Sequence, residues 1–495
     1  MSFRPGVRPH QDPALHQPPS QVNRHGLYWN RTLTRERQAF RMMREPASDS
    51  HRRESIARSK IFSTFAALTI LPAGFNLAVP GTVDGPAWAV AFEVFHGVFI
   101  HNVATMLWLF IALMMVIKNT GALRITISAD ARRYAGLIAF LGVLGFVSTI
   151  ANVARFSTWP DLGETGRSFL FSFYFLLMSY WTSKHGPCFI LRWFLGGIAI
   201  GGIVNIYFSV TQPYNFVGVL PFLYNRNGAG GIIALGIALS AWMWTLRDER
   251  SITDRVVPIA ASLVAIVAVA MSFSKTSMII GICGVLIWLV VLNESLLKMT
   301  RIWYGFALLV AAGAMFIAVP TGVLSTILDS VNESVQNKFS EGLTPAENRS
   351  VSDRLSYYVA TADILLDNPV NPLLGVGYSG FLPSVIKTKA YREGLAEQED
   401  LTVGKAANPH NSFLYYAIAN GVPGLVVVVS LYLMFAKAVF GSVRGPRWLA
   451  YSVAAGIAFV YLLYGNALPS LFKTEVMYLP AAAAISARAR PRVPA

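Results

Sequence analysis

Charge is scarce in this chain. Only 14% of its 495 residues are Asp, Glu, Lys or Arg, against about 25% in a soluble globular protein. With a mean hydropathy of +0.48, the deficit points to lipid as the solvent. Acid is scarcer than base, at 26 Asp and Glu to 41 Lys and Arg. Cysteine is nearly missing. Cys188 falls near a turn and Cys283 inside an apolar run, so no disulfide framework is expected. There is no Cys/His cluster at zinc spacing and no internal repeat. The first 60 residues lack the apolar core of a secretory signal, so no cleavable leader is expected. Residues 1–59 are polar and rich in Pro and Arg, and read as a disordered basic cytoplasmic tail.

Uncharged runs are abundant. A membrane span needs about 20 apolar residues. Runs without charge cover 61–83, 94–117, 134–154, 168–183, 193–225, 227–246, 256–274, 276–293, 302–328, 406–436 and 448–472, with a shorter one at 476–487. The chain is therefore expected to be an all-α polytopic integral membrane protein of about 11–12 transmembrane helices. Its transmembrane domain covers 60–487, a large periplasmic loop covers 320–409 within it, and 488–495 is a short cytoplasmic tail.

Short loops rich in Lys and Arg stay in the cytoplasm. With the N-terminus inside and the runs alternating, 29 of the 41 Lys and Arg fall on inner segments. Seven of the remaining 12 sit in the 320–409 loop, which is too long for the rule to govern. The five left on short outer turns or helix ends are Arg155, Arg167, Arg226, Lys275 and Lys473. The formal charge of +15 is explained by topology and by attraction to anionic headgroups. No basic-aromatic module marks nucleic acid as a partner.

Cations on outer turns oppose the orientation rule. Arg226 lies in Tyr224-Asn225-Arg226-Asn227-Gly228, Lys275 in Ser272-Phe273-Ser274-Lys275-Thr276-Ser277, and Arg155 closes the third run. They read as a cationic pocket for a lipid-linked pyrophosphate. Each alone reads equally as a snorkelling side chain. In the long loop, Ser352 is a candidate N-cap for an amphipathic helix with Leu355, Val359, Ala362 and Leu366 on one face, and Asn368-Pro369 stops it. A Gly-rich turn, Pro372 to Phe381, follows. The loop is apolar enough to fold back over the membrane face, as a lid or as a structural cover. In Asn408-Pro409-His410-Asn411-Ser412-Phe413-Leu414, Pro409 places His410 at the outer start of the tenth span. The positive end of a helix disfavours imidazolium, and a neutral imidazole accepts a proton from a sugar hydroxyl. A capping or headgroup-contacting His is the alternative.

Three segments together resemble the O-antigen ligase and O-antigen polymerase family of bacterial membrane glycosyltransferases. Ser352-Asp353-Arg354-Leu355 through Asn371-Pro372-Leu373-Leu374-Gly375-Val376-Gly377-Tyr378 is similar to that family's Arg-bearing helix and its Pro-Leu-Leu-Gly-x-Gly run. Pro409-His410-Asn411-Ser412-Phe413-Leu414, ending in Gly421-Val422-Pro423-Gly424, resembles its His-Asn-x-x-Leu span start. Ser274-Lys275-Thr276 resembles its Ser-Arg-Thr turn, with Lys in place of Arg, and Asn225-Arg226-Asn227-Gly228 its Asn-rich span entry. Tyr357 and Tyr358 stand where the family carries Trp.

The resemblance implies a periplasmic active face in a bacterial inner membrane and an undecaprenyl-pyrophosphate-linked glycan as donor. It implies no cofactor and no metal, and a possible chain-length regulator as protein partner. By position, His410 and Arg354 become the catalytic pair, with Arg226, Lys275 and Arg155 binding donor pyrophosphate. The expected function is polymerisation of lipid-linked repeat units into exopolysaccharide or O-antigen. The alternative is a ligase that transfers glycan to lipid A core or protein. The rival of another class is a secondary transporter or flippase of a lipid-linked glycan. Transporters of that kind show repeats and intramembrane acids, and the uncharged runs here hold neither.

Overall fold

The computed structural model describes residues 93–95, 98–99, 127–154, 159–211, 226–246, 252–271, 274–295, 349–378, 380–389, 409, 411–467 and 475–489, with isolated positions at Thr64, Ile70, Leu71, Phe110, Ile111 and Met114. The predicted tail 1–59, the run 302–328 and most of 61–83 and 94–117 lie outside these residues.

Twelve helices occur among the described residues: α1 (Ala129–Asn152), α2 (Trp159–His185), α3 (Pro187–Thr211), α4 (Arg226–Leu246), α5 (Thr253–Met271), α6 (Lys275–Ser295), α7 (Arg349–Asp367), α8 (Asn371–Leu374), α9 (Phe381–Val385), α10 (Ser412–Ser442), α11 (Arg447–Ala467) and α12 (Glu475–Ala489). Five are long and apolar enough to cross a bilayer: α1, α5, α6, α10 and α11. The bent pair α2 and α3, turned by 118° about Gly186, makes a sixth candidate. The chain is thus an all-α multi-pass membrane protein.

Two sequence expectations change. The run 94–117 opens not on helix but on a short antiparallel hairpin, β1 (Glu93–Phe95) with β2 (Val98–Phe99). Val94, Phe95, Val98 and Phe99 are strand-favouring types, and His96-Gly97 between them is a hairpin-length connection. The run 476–487 forms α12, a helix of 15 residues. That is about 22 Å, short of a bilayer core of about 30 Å. Val476 to Ile485 are buried, so α12 is interior packing, not a lipid-facing span.

The core forms around α4. A surface helix has one apolar stripe, whereas a helix apolar all round is enclosed. Residues 230–246 of α4 are buried but for Thr245. α6 runs beside α4 in the same direction, so close that a Cβ on Gly284 would meet Ile237 at 2.9 Å. α11 runs against both: Gly231, near the start of α4, faces the Tyr464 ring near the end of α11, 2.8 Å from where its Cβ would stand. Small residues permit this approach between helices that gain little from hydrophobic association in lipid. Two buried indoles are satisfied across helices, with Trp242 Nε1 donating to Ser442 Oγ at 3.0 Å and Trp288 Nε1 to Ser262 Oγ at 2.8 Å. All these elements belong to one unit, Phe65–Ala495.

Polar pairs gather at one end of the bundle. Arg192 at the start of α3 donates from Nε at 3.0 Å and from Nη2 at 2.5 Å to Asp254 Oδ1 at the start of α5. Arg488 at the end of α12 reaches Asp130 at the start of α1 at 3.4 Å. Cys188 donates to the Leu246 carbonyl at the end of α4, at 3.4 Å. These are ends that the Lys/Arg distribution assigns to a single face. Asp254 is buried, so removing its partner strands a carboxylate. Arg192→Ala is expected to cost up to about 3 kcal/mol, the low end for a broken buried pair because Arg192 itself is partly open. A thermal unfolding series in detergent checks this, with Arg192→Ala/Asp254→Ala expected to recover part of the loss.

Candidate functional site

The opposite end of the bundle carries the chemistry-bearing motifs. The starts of α4, α6 and α10 lie there with the end of α11. Asn411 ties α10 to α11, its Nδ2 donating to Asn466 Oδ1 in a short hydrogen bond. The same amide approaches the Tyr358 hydroxyl of α7 at 3.5 Å. Asn411 is also the N-cap of α10: its Oδ1 accepts from the Phe413 and Leu414 N–H groups at 2.9 and 3.1 Å. One side chain therefore starts the span and links the two elements beside it.

α10 is not one straight helix. Gly421 has φ 69° and ψ −171° in its interior, and Pro423 follows. That backbone region is open essentially to Gly alone. Pro423 has no N–H for the Ala419 carbonyl four residues back. The carbonyls of Ile418 and Ala419 are taken instead by Val376 N–H at 2.8 Å and Gly377 N–H at 3.1 Å. Gly375 shares the same conformation, φ 69° and ψ −170°. A Cβ there would collide with the Ile418 carbonyl, and one on Gly421 would lie 2.7 Å from the Leu373 and Pro372 carbonyl oxygens. The Gly-x-Gly turn and the Gly-Val-Pro-Gly break, whose first glycines are 46 positions apart in sequence, are thus two halves of one joint.

α1 completes it. Ser148 Oγ donates to the Ala419 carbonyl at 2.8 Å, and Asn152 Nδ2 to the Gly375 carbonyl at 3.3 Å. Asn420 Nδ2 donates to the Tyr378 hydroxyl at 3.0 Å. Tyr378 stacks on Tyr415 at 5.8 Å between ring centres, and Tyr415 meets Tyr416 edge-on at 5.4 Å. A shallow surface depression here, too tight to hold a water, is lined by Gly377, Tyr378, Phe381, Pro409, Tyr415, Ile418 and Ala419. His410 stands between Pro409 and the α10 cap in sequence.

α7 departs from expectation in two ways. It begins at Arg349, so Ser352 lies inside the helix rather than at its N-cap. Asn348, an equally good capping type, stands just ahead of it in sequence. The apolar stripe named from the sequence is also not the docked one: Val359, Ala362 and Leu366 are exposed. The docked face is Tyr357, Ala360 and Ile364, which cluster with Val376, Phe381, Val385 and Ile418. Both stripes have helical spacing. The aromatic one wins because Tyr357 fills the gap against Phe381, at 6.1 Å between ring centres. The stop is as expected, with Asn368 Oδ1 accepting from Val370 N–H at 2.9 Å.

The sequence-chosen cations map onto this end by their backbones. Arg226 is the first residue of α4, Lys275 the first of α6, and Arg354 lies in the second turn of α7. Their side chains are outside the description, and Arg155 and His410 lie outside the described residues. Ser274 caps α6, its Oγ accepting from Ser277 N–H at 3.3 Å and from Ser277 Oγ at 2.9 Å. A cation in the first turn of a helix faces the positive end of the dipole, a cost of about 0.3–1 kcal/mol. Two such placements side by side are unfavourable for stability alone and favourable for attracting an anion. Among the described residues, no group of His, Cys, Asp or Glu is arranged to hold a metal ion.

Residues 260–429 match the family model described as O-antigen ligase. The similarity to O-antigen ligases is confined to this segment. No curated protein matches the chain. The matched segment starts within α5, takes in Lys275, Arg354, the Gly-x-Gly turn and His410, and ends past the Gly421 break. Arg226 and Arg155 fall outside the match, as do Asn466, Ser148 and Asn152, which sequence reasoning did not single out. A signal for the last two existed: polar residues four apart in an otherwise apolar run share one helix face.

The joint is testable. Gly375→Ala and Gly421→Ala are each expected to cost several kcal/mol, combining a forbidden backbone region at about 1–3 kcal/mol with overpacking at about 1–3 kcal/mol. Gly136→Ala, where an added Cβ meets nothing within 4 Å, is expected to leave the thermal midpoint unchanged. Equal midpoints for all three variants would remove the joint from the account.

Proposed function

We propose that the chain polymerises undecaprenyl-pyrophosphate-linked oligosaccharide repeat units into exopolysaccharide or O-antigen at the periplasmic face of a bacterial inner membrane. The supporting observation is the meeting, at one end of the bundle, of helix starts that carry Arg226 and Lys275, the α10 start just after His410, and the Tyr358 turn of the Arg354 helix. In the proposed reaction an acceptor hydroxyl attacks the anomeric carbon of the donor glycan. The bond from that carbon to the phosphate oxygen breaks, and its electron pair leaves with the lipid pyrophosphate. His410 takes the hydroxyl proton. Arg354, Arg226, Lys275 and Arg155 hold the growing negative charge, aided by the dipoles of α4 and α6. Arg gives a two-pronged grip on phosphate, whereas Lys275 acts as a point charge. No metal or cofactor enters this scheme, and a chain-length regulator is the expected protein partner.

A ligase that delivers the glycan to a lipid A core or a protein uses the same leaving group and the same cations. The family description favours it, so acceptor choice is the discriminating measurement. The purified chain in liposomes with defined lipid-linked repeat units is expected to lengthen the lipid-linked product. Transfer only after addition of lipid A core would assign ligation, and glycan crossing the bilayer unchanged would assign transport. His410→Ala and Arg354→Ala are each expected to lower turnover by about a hundredfold, equivalent to about 3 kcal/mol of barrier, with membrane insertion intact. Wild-type product from either variant removes that residue from the mechanism.

A further inference from the structure

The face of α7 that does not dock on α10 is apolar, and it continues through α8. Val359 and Ala362 are exposed, Leu366 is 80% exposed, and Val370 and Leu373 follow at 47% and 65%. In water such a ribbon is an anomaly. Its neighbours identify what covers it. The Leu373 carbonyl abuts Gly421, the residue before Val422 and Val426, which open the exposed apolar face of the α10 span with Leu433 beyond them. On the other flank, Gly375 is bonded to Asn152 of α1, next to exposed Ile150 and Val153. The ribbon is therefore bordered on both sides by outward faces of helices that cross the bilayer.

We infer that α7 and α8 are seated in the lipid itself, with Leu366, Val370 and Leu373 inserted into the leaflet nearest the start of α10. Lys387 and Lys389, both exposed beyond α9 next to exposed Ile386, supply cations suited to lipid phosphates. Asp367 is the exposed acid on this segment, and one residue from Leu366 it sits about 100° around the helix, toward the headgroups. An interfacial helix of this kind lies about 5–10 Å into the boundary between headgroups and acyl chains. The long loop is then anchored to the membrane rather than poised above it. If the proposed function holds, the seat also keeps the Arg354 helix at the depth of a lipid-borne diphosphate, but the insertion stands without that reading.

The test uses the full chain with Cys188→Ser and Cys283→Ser, carrying one cysteine labelled with an environment-sensitive fluorophore, in vesicles of phosphatidylethanolamine and phosphatidylglycerol. Leu366→Cys and Leu373→Cys are the probes. Val426→Cys on the span and Arg444→Cys in the exposed turn are the references. Quenching by lipids carrying a nitroxide on the acyl chain is expected at both probes to at least half the extent seen at position 426, with iodide quenching below half that at 444. Probes that follow position 444 overturn the inference. Protection from both quenchers also overturns it, since a protein surface then covers the ribbon. Neither measurement reads glycosyl transfer, so its outcome is independent of the proposed activity.

Discussion

A span that breaks must find partners for the carbonyls its ladder abandons, because lipid offers none. In α10 those carbonyls belong to Ile418 and Ala419, and they are met by the N–H groups of Val376 and Gly377 and by the Ser148 hydroxyl. The rest of the site hangs on this exchange. It pins the segment after α7 onto the span, sets Tyr378 against Tyr415, and brings the docked face of α7 down onto Ile418. Two glycines in the same Gly-only conformation make the approach possible, since a Cβ on either would meet the backbone of the opposite segment.

The break also sorts α10 into two functions. The stretch after Gly421 is about 20 residues, enough to cross the bilayer core alone. The stretch before it, from Ser412 to Asn420, is free to carry a site at the membrane edge. Its cap, Asn411, reaches the end of α11 and the hydroxyl of Tyr358. A rigid base of this type suits chemistry whose reacting atoms must be held to fractions of an ångström. The helix starts at the same end add fixed positive potential, and cations at two of them deepen it.

Opposing demands meet in α7. One stripe is consumed by the protein and the other is left bare, so the helix has apolar residues on more than one side. A periodicity argument cannot choose between two stripes of equal spacing. The stripe through Val359, Ala362 and Leu366 shows an amphipathic helix, but shape complementarity to Phe381 and Val376 selects Tyr357, Ala360 and Ile364 for docking.

Composition and period determined the class of this protein. Long uncharged runs with almost no acid admit only helices in lipid, since a helix satisfies its own backbone within one segment. The short motifs carried the resemblance to the O-antigen ligase family, and local chemistry determined several ends: Pro409 and Asn411 ahead of α10, Ser274 ahead of α6, Asn368-Pro369 after α7. Only the tertiary structure decided that the Gly-x-Gly turn and the Gly421 break are one joint, that Ser148 and Asn152 serve it, that Asn466 holds the α10 cap, that 476–485 is interior, and that residues 93–95 and 98–99 pair as strands. These are relations between segments tens to hundreds of residues apart. A carbonyl freed by a proline is visible in a sequence, but the group that satisfies it is chosen by packing in three dimensions.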